Sequence, residues 1–327
     1  MKAAVYTRYG PPDVVQITDL EKPVPKDDEV LIRVRAAALN ALDWRLMRGG
    51  PYIVRMLFGL RKPKIKQPGR PGRDVAGQVE AVGRNVTQFK PGDEVFGVCP
   101  GAIAEYACSV EDKLALKPAN TSFEGAAAVP VAAVTALQGL RDKGRIQRGQ
   151  KVLVDGASGG VGTFAVQIAK SFGAEVTAAC STRNVDTARS IGADHVIDYT
   201  REDFTQSGQR YDLIIAANAY HSIFDYRRAL SQDGVYVMAG GGWAQILQAA
   251  LLGPLLSRIG RKKMCLFMAT INRKELVLLT DLLEAGKVVP VIDRRYPLSE
   301  AAEAVRYLEE GHARGKVVIT MEDPGET

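Results

Sequence analysis

Two stretches of the sequence carry residues whose types and spacing could do chemistry. In the first, Ala157, Gly159 and Gly162 occupy the three positions of the spacing Gly-x-Gly-x-x-Gly, with alanine in place of the first glycine. Lys151-Val-Leu-Val-Asp precedes them as a buried-strand pattern, and small and apolar residues at helical spacing follow. A strand that turns through glycines into a helix lets the backbone approach a pyrophosphate, whose charge is met by free N–H groups at the helix N-terminus. The expected chemistry is dinucleotide binding. About 20 residues on, NAD sites place an acid on the ribose hydroxyls; here the chain reads Ala179-Cys-Ser-Thr-Arg-Asn. Ser181 and Arg183 can bond a 2′-phosphate instead, Arg183 bidentately, so the expected cofactor is NADPH.

The second stretch lies between Asp43 and Asp74. It holds Arg45, Arg48, Arg55, Arg61, Lys62, Lys64, Lys66, Arg70 and Arg73 and no acid, interleaved with Tyr52, Ile53, Val54, Met56, Leu57, Phe58 and Leu60. This pattern suits a short amphipathic helix followed by a basic loop. Three readings stand: a solvated cationic face, a lid over an anionic substrate such as an acyl-CoA, or contact of loop 45–73 with a membrane surface. Tyr52 is a candidate proton donor or oxyanion partner.

The elements that must position these residues fall into three blocks. The first third is rich in strands and turns, with Val30–Ala36 alternating at period two and Val75–Val82 as a further strand. A helical run reaches Leu140, with Pro130 as a kink or boundary. From Lys151 strands and helices alternate: helices over Gly160–Phe172 and Val185–Ile191, strands over Glu175–Cys180, His195–Ile197, Tyr211–Ala216 and Val235–Met238. Such alternation means βαβ units and a parallel sheet. The tail returns to a helix over Leu298–Gly311 and a strand over Lys316–Met321, expected to pair back onto the first block.

Composition narrows the classes. With 46% hydrophobic and 24% charged residues in 327, the chain is neither disordered nor a disulfide scaffold. A net charge of +6 suits an anionic cofactor but is too small to imply nucleic-acid binding. Four scattered cysteines fit a reducing compartment, and three histidines without metal-ligand spacing give no metal site. The most apolar run, Ile246–Leu256, is interrupted by Gly253 and Pro254 and is too short to span a membrane. A cytoplasmic protein without a transmembrane segment is expected. No tyrosine is followed by lysine at the Tyr-x-x-x-Lys spacing of short-chain dehydrogenases.

Taken together, Ala38-Leu-Asn-Ala-Leu-Asp, Gly72-Arg-Asp-Val-Ala-Gly-Gln-Val-Glu-Ala-Val-Gly, Lys90-Pro-Gly-Asp-Glu-Val-Phe-Gly and Ala157-Ser-Gly-Gly-Val-Gly resemble the medium-chain dehydrogenase/reductase superfamily over nearly the whole chain. The zinc-independent quinone oxidoreductase branch is the most similar, and the ending Gly311-His-Ala-Arg-Gly-Lys-Val-Val-Ile is similar to that of reticulon-interacting oxidoreductases. The resemblance implies an α/β fold: a Rossmann doubly wound parallel sheet plus a GroES-like, mainly β catalytic domain. Expected bounds are 1–125 for the catalytic domain, 126–286 for the cofactor domain and 287–327 for the return. It also implies a homodimer, through edge-strand pairing of the cofactor domains.

For the site, the resemblance implies Asn40 on the nicotinamide or substrate carbonyl, Asp43 orienting its neighbours, and Thr135 near the nicotinamide. A turn or cap pair is the plainer reading of Asn40 and Asp43. The cofactor contacts it implies are Ser158, Gly159, Gly160, Val161, Ser181, Tyr199, Gly240 and Gly241, with His312, Ala313 and Arg314 towards the nicotinamide end. Zinc alcohol dehydrogenases place a Cys where this chain has Asn40 and His-Glu where it has Arg73-Asp74, and nothing near Thr135 replaces their third ligand. Without a metal to polarise a plain carbonyl, the activity implied is hydride transfer to a quinone or an activated α,β-unsaturated carbonyl, whose oxyanion is delocalised. The alternatives are an enoyl-thioester or 2-alkenal reductase, and an NADPH-binding protein with an RNA- or lipid-binding role and little turnover. The pair Trp44-Arg45 stands where the family often has a tyrosine.

Overall fold

The computed structural model describes residues 1–50 and 69–321, which form two compact units. The first comprises the described residues of Met1–Val131 with Ile271–Ala285 and 290–321; the second comprises Ala132–Thr270 and Gly286–Val289. Among the described residues no helix is long and apolar enough to cross a membrane.

The chain opens with β1 (Lys2–Val5), β2 (Gln16–Asp19), β3 (Glu29–Leu39) and helix α1 (Ala41–Arg48). After the undescribed stretch come β4 (Asp74–Val82), β5 (Glu94–Val98), β6 (Tyr106–Val110), β7 (Leu114–Leu116) and α2 (Phe123–Ala127). Pro130 is the first residue of α3 (Pro130–Gln138), where its missing N–H would have no helical partner anyway. The second unit continues with β8 (Lys151–Asp155), α4 (Gly160–Ser171), β9 (Glu175–Cys180), α5 (Val185–Ser190), β10 (His195–Asp198), β11 (Tyr211–Ala216) and α6 (Ile223–Ala229). It ends with β12 (Leu230–Met238), α7 (Trp243–Leu256) and β13 (Lys263–Leu266). The first unit resumes at α8 (Arg273–Glu284), β14 (Ile292–Pro297), α9 (Ala301–Glu309) and β15 (Lys316–Thr320).

In the first unit β14, β15, β3, β4, β5 and β7 lie side by side, with β6 also on β3. The expected return of the tail is present: β15 runs antiparallel to β3, with Val317 opposite Leu39 and Thr320 opposite Ala36. Ala36, Ala37 and Ala38 are fully buried there, small enough to let covering elements come close. Val30, Ile32, Val34, Val75, Ile103, Leu114 and Ile319 fill the core of this unit.

The second unit is a six-stranded parallel sheet in the order β10-β9-β8-β11-β12-β13, the doubly wound arrangement. Val152, Leu153 and Val154 of β8 are fully buried, as a strand covered on both faces requires. Two elements differ from expectation. Helix α7 continues through Gly253 and Pro254, and the carbonyl that loses its partner to proline belongs to Ala250, which is exposed to solvent. The tail helix begins at Ala301, after a 3-10 turn over Leu298–Glu300.

Candidate functional site

In the second unit, the turn after β8 is shaped by two glycines with different jobs. Gly156 sits at φ +77°, a conformation that disfavours a side chain, and it stands before Ala157, so the alanine of the motif is spared that demand. Gly162 allows close approach: a Cβ there would lie 2.1 Å from the Gly156 carbonyl oxygen. Gly159 is the N-cap of α4 and has no side chain to bond the first turn. The N–H groups of Gly160, Val161 and Gly162 thus lack intrahelical acceptors, which suits a pyrophosphate.

The other expected cofactor residues of this unit gather at the carboxyl ends of its strands, where open α/β sheets hold ligands. Ser158 lies in the turn after β8, and Ser181 and Arg183 follow β9. Tyr199 follows β10, its N–H bonded to the Cys180 carbonyl at 3.0 Å, and its exposed ring stands 5.7 Å from that of Tyr220. Gly240 and Gly241 follow β12, and the Gly240 N–H bonds the Ala216 carbonyl at 3.0 Å. Thr135 is half-buried on α3.

Sequence reasoning missed two side chains here. Asn184 donates from Nδ2 to the hydroxyls of both Ser158 and Ser181, each at 3.0 Å. Asp155, at the end of β8, is fully buried; it accepts a short hydrogen bond from Tyr226 at Oδ2, and among the described residues its Oδ1 meets no donor. Burial pushes its carboxyl up to about 7, against the opposing effects of the Tyr226 hydroxyl and the Gly156 N–H.

In the first unit, the register of β15 on β3 sets Lys316 across from Asn40, while β4 begins at Asp74, paired with Ala38. Three side chains meet there. The Lys316 ammonium donates to Asn40 Oδ1 at 2.8 Å and to Asp74 Oδ2 at 2.9 Å, and Asn40 Nδ2 donates to the same Asp74 oxygen at 3.0 Å. Asp74 Oδ1 accepts from the Val131 N–H at 2.9 Å. Lys316 and Asp74 are buried, whereas Asn40 is half-buried. A cation facing the amide oxygen and an anion facing its nitrogen leave the amide one orientation. One Nδ2 hydrogen is then left for a further acceptor.

Asp43 serves the backbone. Its Oδ2 accepts from the Asn40 N–H at 2.7 Å and its Oδ1 from the Gly72 N–H at 3.1 Å, tying the start of α1 to the residues before β4. Burial, aided by the nearby Asp74 charge, pushes its carboxyl up to about 6, although those two N–H groups and the Lys316 ammonium pull the other way.

His312, Ala313 and Arg314 lie in the loop before β15, also in this unit. His312 is exposed, and the Arg314 N–H bonds Asp293 at 2.9 Å. Trp44 packs against the core with the Arg45 guanidinium 5.4 Å from its ring, and Arg48 forks onto Glu309 at 2.5 and 2.8 Å. Tyr52 and most of the basic stretch lie outside the described residues.

Comparison with known proteins spans nearly the whole chain. Residues 26–119 match the alcohol dehydrogenase GroES-like domain family, and residues 191–319 match the family described as zinc-binding dehydrogenase. The chain is 38% identical over 334 residues to a 2-methylene-furan-3-one reductase of Solanum lycopersicum, covering 98% of this chain and 79% of that protein. It is 36% identical, with the same coverage, to an NADPH-dependent alkenal/one oxidoreductase of Arabidopsis thaliana chloroplasts. Among solved structures, the quinone oxidoreductase of Coxiella burnetii superposes with a TM-score of 0.86 at 30% identity, over 98% of this chain and 99% of that one.

Proposed function

Because the chain belongs to the medium-chain dehydrogenase/reductase superfamily, in its quinone oxidoreductase-like branch, we propose that it reduces quinones or α,β-unsaturated carbonyls with NADPH and without a metal. The uncapped N-terminus of α4, the room at Gly159, where a Cβ would meet the Gly156 carbonyl oxygen at an ordinary 3.5 Å, and the paired hydroxyls of Ser158 and Ser181 suit the pyrophosphate and 2′-phosphate of NADPH. Arg183 and Tyr199 would add to the hold on the adenosine phosphate, with Gly240 and Gly241 shaping the neighbouring strand end. Thr135, His312, Ala313 and Arg314 are proposed for the nicotinamide end. When bound, NADPH supplies a hydride from C4 of its nicotinamide.

The observation that carries this reading is the fixed amide of Asn40. As an acceptor takes hydride at its conjugated carbon, its electron pair moves onto the carbonyl oxygen. The remaining Nδ2 hydrogen of Asn40 is a neutral donor suited to that oxygen, and conjugation spreads the charge so that a few donors suffice. A metal at Asn40 and Asp74 would have to displace the Lys316 ammonium, which bonds both. Asp43 holds the Asn40 backbone in place, and Tyr52 is proposed as the source of the balancing proton.

The test is NADPH consumption by chelator-treated protein, with a quinone and a 2-alkenal as parallel acceptors and the products identified. Turnover of at least one acceptor at the untreated rate is expected, and the product shows whether quinone or C=C reduction is preferred. NADPH binding without turnover of either acceptor would sink the proposal and favour a binding protein instead.

We further infer a homodimer of the cytoplasm, a compartment that suits four free thiols. Among the described residues β13 is an edge strand, with one side unpaired, beside α7, whose Leu247, Leu251 and Leu255 are exposed. Sedimentation should give twice the chain mass, and Leu266→Pro on that edge should return the monomer. A parent protein that sediments as a monomer at micromolar concentration would refute the dimer.

A further inference from the structure

We propose that Asn184 is a positioning residue for NADPH, which turns the hydroxyl protons of Ser158 and Ser181 outward as anion donors and so couples recognition of the pyrophosphate to that of the 2′-phosphate. The inference rests on the reading of those two serines as phosphate ligands.

The argument begins with donor and acceptor capacity. An amide nitrogen has two hydrogens and accepts nothing. Both Asn184 Nδ2 hydrogens are taken by Ser158 Oγ and Ser181 Oγ, each at 3.0 Å. A serine oxygen that accepts from the amide keeps its own proton for another partner, and among the described residues neither proton has an acceptor. Each serine is therefore presented to the ligand side as a donor, the polarity a phosphate needs.

The amide orientation follows from burial. Asn184 is 4% exposed, and among the described residues its Oδ1 has no partner. Turning the amide over would bury two N–H donors without acceptors, a larger penalty than one under-satisfied carbonyl oxygen. The Asn184 N–H also bonds the Ser181 carbonyl at 2.9 Å, which locks the side chain beneath the turn after β9. One residue thus spans the glycine turn after β8 and the turn after β9, strands that lie side by side.

Titration of NADPH and NADH, followed by nicotinamide fluorescence, tests this. Asn184→Ala should weaken NADPH roughly tenfold, the effect of losing one well-oriented charge-assisted hydrogen bond, and weaken NADH less, because NADH lacks the phosphate that Ser181 meets. In a Ser158→Ala/Ser181→Ala background the same change should have no further effect on either cofactor. Asn184→Asp keeps the side-chain shape while drawing both serine protons inward, so it should weaken NADPH at least as much; thermal unfolding reports whether each variant is folded. Equal loss from Asn184→Ala in both backgrounds, or unchanged NADPH affinity in Asn184→Asp, overturns the proposal. Ser181→Ala separates the two readings. If it leaves the preference for NADPH over NADH intact, the assignment of Ser181 falls and the inference falls with it. If it erodes that preference while the Asn184 variants do not, only the inference falls.

Discussion

Replacing Lys316 by methionine is expected to destabilise the first unit by about 3–5 kcal/mol, because it strands the Asp74 carboxylate in a fully buried position without its counter-charge. Activity should fall with it. Stability and activity separate in the double variant Lys316→Met/Asp74→Asn. A neutral amide in place of Asp74 no longer needs a counter-charge, and its oxygen still accepts from the Val131 N–H, which now bonds Asp74 Oδ1. Most of the lost stability should return, as it often does when both charges of a buried pair are removed. The parent orientation of Asn40 should not return, because the new amide nitrogen takes the place of Asp74 Oδ2, sets a donor against Asn40 Nδ2 and favours the turned-over amide. The double variant is therefore expected to unfold near the parent's denaturant midpoint and yet keep kcat at least about tenfold down, in line with the loss of an oriented oxyanion donor, with the KM for NADPH unchanged. Urea unfolding and steady-state kinetics on the same preparations check both halves. A double variant that regains kcat along with stability would mean that Lys316 and Asp74 support the fold alone.

That centre lies beyond what local sequence patterns encode. The strands over Glu175–Cys180 and Tyr211–Ala216 lie at their expected bounds, because parallel strands buried on both faces are continuous apolar runs that end abruptly in turn residues. The glycine turn was legible for a similar reason: strand, turn and helix are local, and each residue type has a local conformational cause. Lys316 was not legible as a site residue. A lysine ahead of Val317, Val318 and Ile319 reads as the solvated end of a strand, and its partners Asn40 and Asp74 are 276 and 242 positions away. The registers of β15 and β4 on β3 bring them together, and no local pattern encodes those registers.

Asn184 failed for the opposite reason. It is three positions from Ser181, yet an asparagine at the end of a short turn is an ordinary turn residue. Its reach to Ser158 depends on β8 and β9 being neighbours in the sheet. Asp43 was legible in part: the Asn-x-x-Asp spacing at a helix start signals a cap, and the structure gives its carboxylate to two backbone N–H groups. A side chain so fully engaged by the backbone holds the start of α1, Asn40 included, in place.

Asp155 makes the pH dependence of stability a second large effect. In the unfolded chain this carboxyl titrates near its ordinary 3.8, whereas burial beneath the glycine turn pushes it up to about 7 in the folded protein. Between those values the folded state binds the proton and the unfolded state does not, so stability is full below about pH 4 and is lost as the pH rises towards 7. The slope from this group alone is roughly 1.4 kcal/mol per pH unit in the middle of that window. Asp43, pushed up to about 6, adds a loss of the same sign that ends about one unit lower. Asp155→Asn removes the titration while its amide oxygen still accepts from the Tyr226 hydroxyl, the bond that now reaches Oδ2. The variant is therefore expected to be more stable than the parent at pH 8 by a few kcal/mol, with roughly a third of that advantage at pH 5 and little at pH 4, and to lose the Asp155 share of the slope while the share due to Asp43 remains. Urea midpoints measured at half-unit steps from pH 4 to 8 check this, and parallel curves for parent and variant would show that Asp155 does not titrate in that range. The sign follows from the packing: an anion with one unpartnered oxygen beneath Tyr226 and Tyr236 lacks the solvation that water would give it, and a neutral amide of the same shape avoids that penalty.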